Sequence, residues 1–195
     1  MSNSYTKAAF TLVVTAAEAN LLRRVVDAIA LIGDPAVGLD ALEAHYATIG
    51  DDFAAKFPRT DLSPFDGLLD LFPDAAYPYL DLDVAIGDPD VEDRVIVYLS
   101  GEQFGIETAA NLIQRCAHSA LPFGFEWSSD HDRLRAGEFG GGYVVITEAA
   151  IEFASTGRML DRAIDRIRDE GADGFVLATR HAEHGLSFWN DADGF

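Results

Sequence analysis

At Thr15 the hydrophobic period of this chain switches from two to about 3.6 residues, and this constrains the fold more than any single motif. Phe10, Leu12 and Val14 alternate as one face of a strand, Thr15 with Glu18 forms a capping box, and Leu21, Leu22, Val25 and Ile29 mark a helical stripe ended by Gly33-Asp34-Pro35. The switch recurs further on. Residues 80–86 alternate strictly, with carboxylates on one face, and turn at Gly87-Asp88-Pro89-Asp90 into a second strand over 94–100. Ile106, Ala109, Ala110, Leu112, Ile113 and Cys116 then predict a helix closed by Leu121-Pro122, and Phe123, Phe125 and Trp127 line the next strand.

Strand, helix, strand, strand, helix, strand is the order of the ferredoxin-like split βαβ unit, so the expected class is α+β: an antiparallel sheet with helices on one face. A chain of 195 residues holds one good-sized core. A single domain over 1–195 is expected, with 1–35 and 80–128 as the ferredoxin-like core and 36–79 as an acidic excursion broken by Pro58, Pro64, Pro73 and Pro78. Residues 129–195 extend the core with hairpins over 143–154 and 175–189 around a helix. Ser155 and Thr156 cap that helix, which carries Met159, Leu160, Ala163, Ile164 and Ile167.

The charge is uneven. The chain has 33 acids against 14 bases, for a net −19, and residues 34–93 hold fifteen acids with only Lys56 and Arg59 in opposition. Direct nucleic-acid binding is disfavoured, because phosphate contacts need Lys and Arg to displace counterions. Three explanations remain for the acidity: surface solvation, adaptation to salt, and a surface that imitates nucleic acid to occupy a basic groove on a protein partner. Two lysines beside twelve arginines fit a compositional bias. Concentration of charge in one segment fits a partner-binding surface better, with Asp51, Asp52, Asp61, Asp66, Asp70, Asp74, Asp81 and Asp83 as its candidate residues.

The chain starts without the basic and apolar regions of a signal peptide and has no long uncharged apolar run, so no membrane partner and a cytoplasmic location are expected. The lone Cys116 falls on the apolar stripe of its helix, which points to burial. No cofactor or metal is expected. His181-Ala182-Glu183-His184 lacks a ligand spacing, and the acids after it do not continue into a calcium loop. Arg158, Arg162 and Arg166 alternate with Asp161, Asp165 and Asp169 as a salt-bridged helix face.

One segment is dense in chemistry. Asp130-His131-Asp132-Arg133-Leu134-Arg135 reads as the connection after the aromatic strand, and Gly137-Glu138-Phe139-Gly140-Gly141-Gly142 leads into a Val-Val-Ile-Thr strand. His131, Arg133, Arg135 and Glu138 are the catalytic candidates, a base and cations for an anionic metabolite. The glycines precede a strand, whereas phosphate loops open a helix, so a bulge or the close passage of another backbone over the sheet is the expected use.

Together with Leu177-Ala178-Thr179-Arg180 and 184–190, this stretch resembles a family of uncharacterised bacterial, plasmid and phage proteins, and is more loosely similar to plasmid- and phage-borne ferredoxin-like domains. The resemblance covers residues from Val95 onward and carries over no catalytic residue. It implies a mobile-element accessory. With the charge, it leads to an expected non-catalytic role: a nucleic-acid-mimicking inhibitor of a host defence enzyme such as a CRISPR effector or restriction enzyme. The alternatives are a small enzyme built on 130–138 and a homodimer paired through an exposed sheet edge.

Overall fold

The structure, a computed structural model, describes residues 4–133 and 138–170. The chain divides into two compact units, Met1–Phe153 and Ala154–Phe195. The first holds β1 (Ser4–Thr15), α1 (Ala16–Ile32), α2 (Leu39–Thr48), α3 (Asp51–Lys56), α4 (Asp66–Leu69), β2 (Asp83–Ile86), β3 (Arg94–Gly101), α5 (Ile106–Cys116), β4 (Phe123–His131) and β5 (Gly140–Ile146). After β6 (Ile151–Ser155), the described part of the second unit is α6 (Thr156–Glu170). Arg135 and Gly137 lie outside the described residues, as do the predicted hairpin over 175–189 and His181, His184, Asp191 and Asp193.

The sheet runs β2-β3-β1-β4-β5-β6. Its first four strands are in the order of a split βαβ unit, and β1 pairs antiparallel with both β3 and β4. The fold is therefore the expected α+β one. β1 ends where the capping box begins: Thr15 Oγ1 accepts from the Glu18 amide at 3.3 Å, and Glu18 Oε2 accepts from the Thr15 amide at 3.1 Å. α1 buries Leu21, Leu22, Val25, Ala28 and Ile29. α5 buries Ala109, Ala110, Leu112, Ile113 and Cys116. Both pack with Leu12, Val14, Val95, Val97, Leu99, Phe125, Val144 and Ile146 in one core. The opposite face leaves Val13, Ile96, Tyr98, Tyr143 and Val145 partly exposed.

Residues 36–79 are more than an excursion. Phe53, Phe57, Phe65, Leu68 and Leu71 are among the largest fully buried side chains of the molecule. The Tyr46 ring meets Phe65 edge-on at 5.3 Å, and Phe53 lies 5.0 Å from Phe57. α5 holds the layer from the other side, with Asn111 Nδ2 donating to the Leu71 carbonyl and Arg115 to the Gly67 carbonyl, each at 3.0 Å. Prolines cut this apolar pattern into pieces too short to show a period.

Two other expectations change. β2 is shorter than the alternation over 80–86, because Asp81 takes a left-handed φ of 51° and takes the backbone out of extended geometry. The triple glycine forms no bulge: Gly140, Gly141 and Gly142 pair one-to-one with Ser129, Ser128 and Trp127. A close approach does occur, but from the paired strand and not from a backbone crossing over the sheet: a Cβ on Gly141 would lie 2.5 Å from the Trp127 carbonyl oxygen of β4. Asp130 and His131 are also strand residues, paired with Tyr5 and Ser4, which shortens the connection expected at 130–135.

Candidate functional site

The eight aspartates do not share one role. Asp52, in the first turn of α3, forms a two-pronged ion pair with Arg24 of α1, Nη1 meeting Oδ1 at 2.7 Å and Nη2 donating to Oδ2. The Arg24 guanidinium holds its carboxyl down at about 2. Thr60 Oγ1 donates to Asp66, and Arg115 reaches Asp70 at 3.8 Å. Asp52 and Asp70 thus tie the acidic layer to α1 and α5, and Asp66 braces it from within. Asp51 and Asp61 are exposed.

Asp74, Asp81 and Asp83 line concavities. Asp83 borders a groove of about 640 Å³ on the open face of the sheet, with Lys7, Ser100, Glu102, Glu126 and Ser128. There Lys7 pairs with Asp130 at 3.0 Å, and that hydrogen bond raises the lysine above its ordinary value. Asp74 and Asp81 line a second cavity of about 440 Å³ with Tyr77, Tyr79, Phe104 and Glu107. Among the described residues, no cation forms an ion pair with Asp74, Asp81, Asp83, Glu102, Glu107 or Glu126.

The catalytic candidates are partly brought together. His131, with a side chain 9% exposed, lies between Asp132, whose Oδ1 is 3.2 Å from Nδ1, and Glu138, whose Oε2 is 3.5 Å from Nε2. The Arg133 amide approaches Nδ1 at 3.4 Å, and its side chain is exposed. Cys116 is buried, and burial pushes its thiol up to about 12, so it holds its proton at neutral pH.

Periodicity did not single out Tyr77, Tyr79, Glu102, Glu107 or Glu126. The available signal was Tyr77-Pro78-Tyr79, two aromatics around a proline in a polar loop. Comparison of the chain with family models, curated proteins and solved structures returned no match. Among the described residues, no helix is long and apolar enough to cross a membrane, and no group of three or more His, Cys, Asp or Glu side chains is placed to hold a metal ion.

Proposed function

We propose that this protein is a non-catalytic binding protein whose acidic surface occupies the basic groove of a nucleic-acid-binding partner. The supporting observation is that six carboxylates border two concavities, while among the described residues Lys7 is the one cation that lines either, paired with Asp130 and attracted more weakly by Glu102. Acids bridged to arginines are neutralised locally, whereas acids without such partners sum into a field that steers a basic surface and speeds association. Asp83 on β2, Glu107 on α5 and Glu126 on β4 stand on elements that pack into the core, a rigid support that limits the entropy lost on binding. In the mobile-element setting that the family resemblance implies, the partner is a host defence enzyme, and occupying its groove inhibits it.

The test has two stages. The tagged full chain is used to capture partners from its host at about 0.05 M and about 0.5 M salt, a range over which screening shortens the reach of surface charge. A nucleic-acid-binding protein held at low salt and released at high salt is expected, and the purified chain should then displace duplex DNA or RNA from it. Capture of no such protein, or of one that keeps its full nucleic-acid affinity, would overturn the reading. A small enzyme is the second reading, favoured by the His131–Glu138 approach.

A further inference from the structure

The 440 Å³ cavity beside the N-terminus of α5 has a chemistry more selective than acidity alone. Its wall is the segment Asp74–Asp81, folded by its own short-range bonds. Asp74 Oδ1 accepts from the Ala76 amide at 2.9 Å, the Tyr77 amide donates to the Asp74 carbonyl at 3.1 Å, and the Tyr79 amide donates to the Tyr77 carbonyl at 2.9 Å across Pro78. These turns set two tyrosines into the cavity lining while leaving them 69% and 57% exposed. The far end of the wall is pinned by the Gly105 amide, which donates to the Asp81 carbonyl at 3.1 Å. Asp81 keeps its left-handed backbone there, a conformation that persists where surrounding structure imposes it. The floor includes Phe104, 3% exposed and set edge-on to Phe10 at 5.8 Å.

We infer that this cavity takes an arginine side chain of a basic partner, an assignment that rests on the binding role proposed above and names its anchoring contact. Asp74, Asp81 and Glu107 give the lining three formal negative charges. The start of α5 contributes only about half a positive charge, so the balance excludes an anion. A hard divalent ion fits poorly, because it needs oxygen ligands around most of its shell and no three of the described His, Cys, Asp or Glu side chains are placed to hold one. A guanidinium satisfies both features: it stacks flat on an aromatic face, is weakly hydrated, and offers forked donors to carboxylates. A lysine ammonium is more strongly hydrated and matches the carboxylates without the stacking.

The assignment is tested by calorimetric titration of the full chain, at low salt, with a short arginine-rich peptide and a lysine-rich peptide of equal length and charge. The variant is Tyr77→Ala with Tyr79→Ala, which leaves the net charge unaltered, and Tyr77→Leu with Tyr79→Leu is a second form that retains apolar bulk. The arginine peptide is expected to bind the wild type more tightly than the lysine peptide, and to weaken about fivefold or more in both variants, with the lysine peptide little affected. Amide resonances at Tyr77, Gly105 and Glu107 should shift on addition of the arginine peptide. Equal binding of the two peptides, or variants that bind arginine as the wild type does, would overturn the cavity assignment while leaving the acidic-surface reading in place. Failure of both peptides to bind the wild type would overturn both.

Discussion

A single ion pair decides how the acidic layer joins the core. Arg24 donates to the Ile49 carbonyl at 2.7 Å as well as to Asp52, so one guanidinium ties α1 to the start of α3. The carboxyl of Asp52 titrates at about 2 in the folded chain against an ordinary 3.8. A lowered folded value means that the pair stabilises the protein above the ordinary value and is lost as the pH falls through the folded one. Because the Asp52 side chain is 61% exposed, solvent screening holds the contribution to about 0.5–1 kcal/mol. Asp52→Asn is therefore expected to lower stability by that amount near neutral pH, with the gap to wild type closing between about pH 4 and pH 2. Urea unfolding midpoints across that range check it, and an unchanged midpoint near neutral pH would show that the bonds of Arg24 to backbone carbonyls are sufficient. The capping box was legible because its partners, Thr15 and Glu18, are three positions apart. The Arg24–Asp52 bridge spans 28 residues, and no period or motif announces it.

At the scale of elements, β5 reads from its alternation, but the use of its glycines depends on β4. Gly141 faces Ser128 in an unbroken ladder, and a Cβ there would meet the Trp127 carbonyl oxygen at 2.5 Å and the Ser128 Cα at 3.3 Å. Both obstacles are backbone, which cannot swing aside as a side chain would. Gly141→Ala is expected to cost about 1–3 kcal/mol by forcing the two strands apart. Gly157, in the first turn of α6, has nothing among the described residues within 4 Å of such a Cβ, so Gly157→Ala should leave stability unchanged or raise it by up to about 1 kcal/mol. Denaturant unfolding of the two variants separates the cases, and equal effects would refute the close approach. The same dependence on neighbours explains β2: alternation continues through Leu80 and Leu82, but the left-handed turn at Asp81 removes them from the ladder.

For the whole molecule, a net −19 on 195 residues is a source of self-repulsion. Compacting the chain brings like charges together, so screening should favour the folded state. Raising salt from about 0.01 M to about 0.3 M, which shortens the screening length several-fold, is expected to raise the melting temperature by about 3–5 °C. A thermal scan by circular dichroism checks this. A flat response would mean that the carboxylates are already dispersed widely enough to escape one another, which would weaken the case for a concentrated field at the two concavities.

The alternation and helical stripes determined the order and type of the elements of the α+β core, because each depends on side chains a few residues apart that sort between water and apolar contacts. The acid-rich composition determined the sign of the surface. Tertiary structure decided which acids remain available and which are spent on anchoring, since that depends on where Arg24, Arg115 and Thr60 arrive in space. It also converted 36–79 from a polar interruption into a buried aromatic layer, and placed Tyr77 and Tyr79 beside Asp81 and Glu107. Those placements arise from contacts between segments distant in the chain, and local periodicity carries no record of them.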